Sequence, residues 1–429
     1  MMKINGMQLH QQLVSHLSKQ LLISPSEVEH LDASVSHWIQ NPNLHIPHFT
    51  NTMRNECFLY IQYLSSGKLD ELVKGNCFRE LQEAYQQRLE FYFENLPYSP
   101  PPKWNFTFID LFAGIGGFRI AFQNAGGKCV FSSEWDKYAQ QTYAANFGEF
   151  PYGDIRNISK SEIPDHDVLC AGFPCQPFSL AGVSKKNSLG RKHGFEDETQ
   201  GTLFFEIKEI LRVKRPRAFM LENVQNLLWH DKGKTFEVIR KTLEEQLGYV
   251  VKWELVDGKK WVPQNRKRLF IIGFDPRQIK IKTDKIVIPD SPEKGYIYPD
   301  LQTIIETDVT GHTLGPGTWD TLQRHKAYHK EQGNGFGYGI HHLPIKRGET
   351  TRTISARYHK DGAEVLIAQK DNRPRRMTVK EAMQLQGYVP DKFLFPVSNT
   401  QAYKQIGNSV IVPAVESSAK MIARILRKK

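Results

Sequence analysis

Cys175 is the residue of this sequence whose setting is most typical of a nucleophile. It lies in the stretch AGFPCQPFS (171–179), directly after an apolar run over 167–170 that predicts a buried parallel strand. Open α/β sheets bind ligands beyond the carboxyl ends of their strands, and Pro174 restricts the backbone beside the thiol. A thiolate in such a place is a strong nucleophile near neutral pH. The alternative is a small buried hydrophobic residue, as most free cysteines are, and this stretch alone leaves both open.

A carboxylate and two guanidinium groups lie at other predicted strand ends. Glu222 follows the apolar run 217–221, so it could face the same crevice as the thiol and act as a general acid. It could also be only an acid at the start of a helix. Arg266 and Arg268 alternate just before the run 269–273, and side chains two apart on a strand share a face. Two fixed guanidinium groups could bind a base carbonyl and hold the acid, unless they are surface charges.

A glycine turn between a strand and a helix marks a second predicted site. The run 106–112 has the residue types of a strand, and Gly114 and Gly116 follow it before a helix begins at Phe118. Glycines let the backbone approach a ligand closely, and a helix start adds free N–H groups and a favourable dipole. The turn lacks the full GxGxxG of dinucleotide sites, so it is weak evidence on its own.

Acidic and aromatic residues at the next two predicted strand ends strengthen this second site. Glu134 stands twenty residues after Gly114, where this architecture places an acid on ribose hydroxyls. Trp135 could stack on an adenine, and Asp154, at a third strand end, could accept from the adenine amine. No phosphate-binding lysine motif follows, so S-adenosylmethionine fits better than NAD or ATP. The alternative is an ordinary α/β core in which these acids are incidental.

The composition is that of a basic globular protein. The chain has 429 residues, is 40% hydrophobic and carries a formal net charge of +11. No apolar run approaches the roughly 20 residues that a membrane span needs. Its five cysteines form no CxxC pattern, which favours a reducing compartment and argues against a zinc site or a disulfide framework. The charge indicates a polyanionic partner, above all nucleic acid, unless the protein is merely basic.

Two basic segments are candidates for contact with nucleic acid. Segment 180–200 follows the candidate nucleophile without apolar periodicity, so it could close over phosphates or be an idle solvated loop. Segment 311–372 is rich in glycine and histidine, which suits approach to a groove, or it is an irregular structural insert. Their candidate DNA contacts are Lys185, Arg191, Arg352 and Arg357.

Nine motifs in the family's order make the chain resemble the bacterial C5-cytosine DNA methyltransferases. The motifs are DLFAGIGGFR (110–119), SSEWD (132–136), GDI (153–155), GFPCQPFS (172–179), GTLFFEI (201–207), ENV (222–224), QNRKR (264–268), RPRRMTVKEAMQLQGY (373–388) and QAYKQIGNSV (401–410). The resemblance covers residues 106–429. Within the family the chain most resembles the Dcm, or EcoRII-type, enzymes, through 171–191, GNGFGYG (333–339) and SARYHKDGAE (355–364).

The resemblance implies a Rossmann-like S-adenosylmethionine-dependent methyltransferase core of the α/β class, with a smaller irregular target-recognition domain and an N-terminal helical extension. The predicted segments are the extension (1–96), a proline-rich linker (97–105), the catalytic cofactor-binding domain (106–274), the target-recognition domain (275–372) and a return to the catalytic domain (373–429). Residues 1–96 carry no motif that matches the family.

The resemblance also implies a mechanism on a cytosine turned out of the DNA duplex. Cys175 would add to C6 while Glu222 stabilises or protonates N3, which makes C5 nucleophilic towards the methyl group. Arg268 would contact the cytosine O2, Arg266 would support the acid, and Gln264 would contact DNA. The residues implied at the cofactor are Phe112, Gly114, Gly116, Glu134, Trp135, Asp154, Asn408 and Val410.

The implied substrate is double-stranded DNA, with the inner cytosine of CC(A/T)GG as the target. We expect a monomer in the bacterial cytoplasm, associated with the nucleoid, with no metal and no membrane contact, and with a cognate restriction endonuclease as a partner. Two rival functions stay open: a catalytically idle DNA-binding regulator, and an RNA cytosine-5 methyltransferase.

Overall fold

The computed structural model describes residue 33 and residues 96–173, 203–333, 337–370 and 372–427. Nearly all of the predicted N-terminal extension lies outside these residues, and so do Cys175, Lys185 and Arg191 of the predicted sites. Within the described ranges, no helix has the length and apolar character needed to cross a membrane.

A six-stranded sheet organises the described chain. Its strands are β1 (Phe106–Leu111), β2 (Gly127–Ser133), β3 (Val168–Gly172), β4 (Ala218–Val224), β5 (Val250–Asp257) and β6 (Lys267–Phe274). They lie side by side in the order β2-β1-β3-β4-β6-β5. Strands β1 to β4 are parallel, whereas β6 runs antiparallel to both of its neighbours, β4 and β5. The predicted α/β fold is confirmed, with one reversed strand next to an edge.

The third strand that we expected before Asp154 is reduced to a single bridge. Tyr152 pairs with Ser133 in parallel, and its N–H donates to the carbonyl of Ser132 at 2.8 Å. Pro151 has no N–H to continue a ladder, and Gly153 lacks a side chain that would favour a strand. The prediction of a strand was therefore wrong here, although the bridge still places Asp154 at the carboxyl end of β2.

Ten helices occur within the described residues. They are α1 (Gly117–Asn124), α2 (Lys137–Phe147), α3 (Leu203–Lys214), α4 (Lys234–Lys241), α5 (Leu301–Ile304), α6 (Pro316–Glu331), α7 (Tyr358–Asp361), α8 (Val379–Gln384), α9 (Asn399–Asn408) and α10 (Val412–Arg427). Single 3₁₀ turns lie at Ile155–Asn157, Gln225–Leu228, His230–Gly233, Gly258–Lys260 and Thr283–Lys285, and a π turn at Thr242–Gln246.

Helices pack on both faces of the large sheet because successive side chains of a strand point to opposite sides. Phe108 of β1 belongs to the core that includes α1 and α10, whereas Ile109 belongs to the core that includes α3 and α4. Burial of each such side chain contributes about 1.5–3 kcal/mol. Asn124 of α1 donates to Glu416 of α10 at 2.8 Å. The last helix thus packs beside the helix that follows the glycine turn.

A small second sheet joins the predicted target-recognition region (275–372) to the start of the predicted return segment (373–429). It consists of β7 (Ile340–His341), β8 (Leu366–Gln369) and β9 (Asn372–Arg376) in that order. Helix α6 packs on it through Leu322, which shares a small apolar cluster with Leu314 and Leu366. This region is therefore less irregular than its glycine content indicated.

Candidate active site

The turn after β1 has a backbone that few side chains tolerate. Phe112, Gly114 and Gly116 have φ values of 55°, 55° and 81°, in the left-handed region. A Cβ at Gly116 would lie 2.2 Å from the ring of Phe147, whereas a Cβ at Gly114 would meet nothing within 4 Å. Left-handed backbone in a non-glycine residue costs energy and clusters at ligand sites. The turn is therefore packed closely against Phe147 at Gly116 and open at Gly114.

Glu134 at the end of β2 is tied to this turn. Its two carboxylate oxygens accept from the backbone N–H groups of Gly114 and Asp136, each at 2.8 Å. Burial raises the pKa of Glu134, and those two N–H groups oppose the rise. Each carboxylate oxygen keeps a second lone pair for a hydroxyl donor. The predicted association of Gly114 with Glu134 is thus present as a hydrogen bond.

Trp135 and Asp154 lie on either side of Glu134. Trp135 is 77% exposed, so its indole face is free for stacking. Asp154 accepts from the backbone N–H of Arg156 at 3.0 Å and from its Nε at 2.9 Å. The guanidinium of Arg156 lowers the pKa of Asp154, which keeps the carboxylate charged and able to accept from an amine.

The stretch 408–410 forms a wall beside the glycine turn. A Cβ at Gly117 would lie 2.7 Å from Cγ2 of Val410 and 3.0 Å from the hydroxyl of Tyr388. Asn408 is exposed at the end of α9, whereas Val410 is buried. The open space at Gly114, the acceptors of Glu134 and the free indole together fit an adenosine-containing cofactor.

Glu222 lies at the carboxyl end of β4, next to the end of β3. It is opposite Gly172 in the parallel register, and a Cβ at Gly172 would lie 3.6 Å from its Oε2. Asn223 fixes the residue that follows β3 by donating to the carbonyl of Phe173 at 2.8 Å. Cys175 follows Phe173 by two residues but lies outside the described part of the chain. The acid thus lies on the strand next to β3, the strand from whose end the chain continues to the candidate nucleophile.

Arg268 is the direct partner of this acid. Its Nε lies 3.0 Å from Oε1 of Glu222, because β6 begins beside the point where β4 ends and Arg268 is opposite Val224. Burial raises the pKa of Glu222, and the charges of Arg268 and Arg266 oppose the rise. A carboxyl with a raised pKa in a cleft is typical of a general acid.

The other predicted partner of Glu222 is directed elsewhere. Arg266 is 2% exposed, and its guanidinium donates to the carbonyls of Ile354, Gly407 and Ser409. The direct support of the acid that we expected from Arg266 is provided by Arg268. The reason is that β6 begins at Lys267, so strand alternation does not set the direction of a residue that precedes it.

Gln264 does not have the exposure that a DNA contact needs. It is 0% exposed, donates to the carbonyl of Leu385 at 2.7 Å and accepts from the N–H of Ile354 at 2.8 Å. Both ends of its amide are used within the protein, so the expected DNA contact is not met and the residue joins two parts of the fold.

An open cleft of about 430 Å³ lies in front of Arg268. It is lined by Val224, Gln225, Asn226, Asn265, Lys267, Arg268, Arg352 and Thr353. Of the two arginines predicted to contact DNA from the recognition region, Arg352 lines this cleft and donates to the carbonyl of Gly337. Arg357 is exposed just before α7 and does not line it. Three cationic side chains in one cleft suit a phosphate-bearing ligand.

Sequence reasoning missed several polar members of this cleft. Asn226 and Asn265 line it, and each stands within a few residues of a group that the motifs did identify. Asn226 follows Glu222 by four residues, and Asn265 lies between Gln264 and Arg266. Their closeness in sequence to identified residues was the available signal.

Comparison with known proteins shows the family. Residues 106–424 match the family model of the C-5 cytosine-specific DNA methylases. The chain is 46% identical over 337 residues to the type II methyltransferase M1.ScrFI of Lactococcus lactis subsp. cremoris, a match that covers 78% of this chain and 82% of that protein. It is 45% identical over 379 residues to the DNA-cytosine methyltransferase of Escherichia coli K12, covering 75% and 78% of the two chains.

Solved structures show the same fold at low sequence identity. The Dnmt2 methyltransferase of S. pombe matches with a TM-score of 0.57 and 18% identity, over 75% of this chain and 98% of that one. The Entamoeba histolytica methyltransferase EhMeth matches with a TM-score of 0.57 and 17% identity, over 75% and 99%. At these identities the likeness concerns the fold alone.

Proposed function

The chain belongs to the C-5 cytosine-specific DNA methylase family, and from this premise we propose that it methylates an extruded cytosine through a covalent bond from Cys175 to C6. It is a DNA (cytosine-5-)-methyltransferase, and its cofactor is S-adenosylmethionine. The observation that carries the proposal is the ion pair of buried Glu222 with Arg268, which lies beside the end of β3, the strand that leads to Cys175.

The cofactor would bind at the glycine turn. When bound, S-adenosylmethionine supplies an electrophilic methyl group on a sulfonium sulfur. Glu134 would accept from the ribose hydroxyls and Trp135 would stack on the adenine, while Asp154 accepts from its amine. The remaining residues proposed for this site are Phe112, Gly114, Gly116, Asn408 and Val410.

Glu222 would hold the proton that activates the base. Its Oε1 is engaged by Arg268, so Oε2, which lies towards Gly172, is the oxygen from which a proton would move to N3 of the cytosine. As the thiolate of Cys175 adds to C6, the protonated N3 takes up the displaced electron density, and the resulting enamine is nucleophilic at C5; N3 returns its proton to Glu222 when the ring is restored. After methylation, loss of the C5 proton and departure of the thiolate restore the aromatic ring.

DNA would enter at the cleft in front of Arg268. Arg268 is placed between Glu222 and this opening, so it can hold the acid and contact the base O2 with different N–H groups. Lys267 and Arg352 would bind phosphates at the same opening. Lys185 and Arg191 would add phosphate contacts from the basic segment that follows Cys175, and those contacts should weaken with salt.

For the target we propose the inner cytosine of CC(A/T)GG, on the strength of GNGFGYG (333–339) and SARYHKDGAE (355–364). We further propose that the enzyme acts as a monomer beside the bacterial nucleoid. A cognate restriction endonuclease is proposed because relatives of the chain are named type II methyltransferases. Bisulfite mapping of DNA from cells that express the chain tests the target, and methylation confined to other sequences would refute it.

Transfer of a labelled methyl group separates the proposed function from its rivals. Incubation with labelled S-adenosylmethionine and either duplex DNA or tRNA should label C5 of cytosine in the duplex alone. Label in tRNA alone would favour the RNA methyltransferase. Binding to duplex without any label would favour an idle regulator.

Replacement of Trp135 by alanine should weaken cofactor binding without unfolding the protein. The indole is 77% exposed, so its removal leaves the core intact, while lost stacking costs about 1–3 kcal/mol. Titration calorimetry with S-adenosylhomocysteine should therefore show at least a several-fold rise in Kd. Trp104→Ala is the matched control, because Trp104 is also exposed but precedes the start of β1, whereas Trp135 follows the end of the parallel neighbour β2. Equal affinities for wild type and Trp135→Ala would remove the stacking role.

A further inference from the structure

Arg266 is a buried cation whose hydrogen bonds join its own stretch of backbone to two others, one at Ile354 and one at 407–409. Its guanidinium donates to the carbonyl of Ile354 at 2.9 Å, of Gly407 at 3.1 Å and of Ser409 at 2.6 Å. Every hydrogen bond that it makes to a described residue ends on a main-chain oxygen. The bonds therefore fix where these stretches lie relative to one another, whatever their side chains are.

The charge of Arg266 is costly where it lies. Burial lowers its pKa to about 9, with the charge of Arg268 acting in the same direction and that of Glu222 opposing. Within the described residues its Nε also has no hydrogen-bond partner. An apolar side chain of similar volume would avoid this cost. Packing alone therefore does not explain why a charged side chain stands at position 266.

One end of this junction belongs to the DNA cleft. Ile354 directly follows Thr353, which lines the cleft together with Arg352. The N–H of Ile354 is fixed as well, because it donates to Oε1 of Gln264 at 2.8 Å. A duplex that contacts Arg352 and Thr353 would act on a stretch of backbone that is hydrogen-bonded to Arg266.

The other end belongs to the cofactor wall. The hydroxyl of Ser409 lies 2.6 Å from that of Tyr388, and both groups lie against Gly117 of the glycine turn. At Gly407 a Cβ would lie only 2.2 Å from the carbonyl carbon of Ser355, so the wall and the recognition region touch with no side chain between them. A displacement of either stretch would therefore displace the other as well.

We propose that Arg266 is a positioning residue that couples DNA binding at the cleft to cofactor binding at the glycine turn. The proposal rests on the proposed function for the identity of the two ligands. Because binding free energies are linked, the factor by which cofactor tightens DNA binding equals the factor by which DNA tightens cofactor binding. Arg266 would carry much of that factor and contact neither ligand.

The test measures this factor in wild type, Arg266→Met and Arg266→Lys. Fluorescence anisotropy gives the Kd of a labelled CC(A/T)GG duplex with and without saturating S-adenosylhomocysteine. Wild type should show a tightening within the about 5- to 150-fold range of such couplings. Arg266→Met should bring the factor close to one while each ligand alone still binds, and Arg266→Lys should restore part of it, since the charge is kept.

Arg375→Met is the matched control for loss of a buried arginine. Arg375 is also 2% exposed and donates to a backbone carbonyl, that of Glu306, but its carboxylate partner is Glu381, away from the cleft and the cofactor wall. It should keep the wild-type factor. An unchanged factor in Arg266→Met, or equal losses in both variants, would overturn the proposal.

A second variant covers the case in which Arg266→Met does not fold. Tyr388→Phe removes only the hydroxyl that contacts Ser409, and it should reduce the factor with little effect on the melting temperature. A wild-type factor in Tyr388→Phe would then count against the junction. If wild-type protein methylates DNA but its Kd for the duplex does not change with S-adenosylhomocysteine, the coupling proposal is wrong and the proposed function stands. If wild-type protein transfers no methyl group to DNA, the proposed function is refuted instead.

Discussion

Cys175→Ala should abolish methyl transfer and leave duplex DNA binding measurable. Without the thiolate no covalent bond to C6 can form, so C5 is not activated, and loss of a covalent nucleophile typically lowers turnover by about 10⁴-fold or more. Labelled methyl transfer and anisotropy with the same duplex measure the two effects on one preparation. Substantial turnover in Cys175→Ala would remove the nucleophile from this position.

Cys170→Ala is the matched control for this replacement. Cys170 lies in β3, five residues before Cys175, and burial raises the pKa of its thiol well above the usual range. A buried thiol of this kind is inert, so the variant should keep near wild-type turnover.

A duplex that carries 5-fluorocytosine at the target gives an independent readout. Fluorine at C5 cannot leave as a proton does, so the adduct between Cys175 and C6 should persist after methyl transfer. Wild type and Cys170→Ala should form a species that survives denaturing electrophoresis, and Cys175→Ala should not. An adduct on Cys175→Ala would contradict the assignment.

Glu222→Gln should slow single-turnover methyl transfer by about 10²- to 10⁴-fold, the usual contribution of a general acid. The amide keeps the size of the side chain and an oxygen for Arg268, but it has no proton to give to N3. Glu254→Gln is the matched control, because Glu254 is exposed and lies opposite Phe270, the residue that also lies opposite Glu222. A rate close to wild type for Glu222→Gln would exclude the acid role.

The same pair of proteins should differ in how stability depends on pH. Because burial raises the pKa of Glu222 above 4.5, the folded state holds this proton more tightly than the unfolded state. Wild type should therefore lose stability relative to Glu222→Gln as pH rises from below 4.5 through the raised pKa, and the difference should then stay constant. Melting temperatures over this pH series give the measurement. A difference that does not change with pH would mean that the pKa is not raised.

Much of the sheet could be predicted because its strands are apolar runs. The runs before Cys175 and Glu222 became β3 and β4, and the glycine turn followed β1 as expected. Strand β5 was not predicted, since Lys252 and Glu254 interrupt its apolar pattern at the sheet edge. The reversal of β6 was not predicted either. It follows from the short connection after β5, since a parallel neighbour would need a long crossover.

The candidate site was predictable where a residue lies at a strand end, and less so where its partners are distant in sequence. Glu134 could be placed on the glycine turn because a fixed spacing links the two. Gln264 could not be assigned, because its partner Leu385 lies 121 residues away and no local pattern records that contact. The contact of Glu222 with Arg268, where we expected Arg266, has the same origin.

The attachment of the recognition region to the catalytic sheet relies on its main-chain atoms. Gln264 and Arg266 bind the N–H and the carbonyl of Ile354, and Thr351 exchanges backbone hydrogen bonds with Pro263 and Asn265. These bonds do not depend on which amino acids stand at 351 and 354, although the hydroxyl of Thr353 adds a side-chain bond to the carbonyl of Asn265. We therefore expect that recombination between relatives can exchange the stretch proposed to read the target while these main-chain contacts are kept, so that new sequence specificities arise without rebuilding the chemistry.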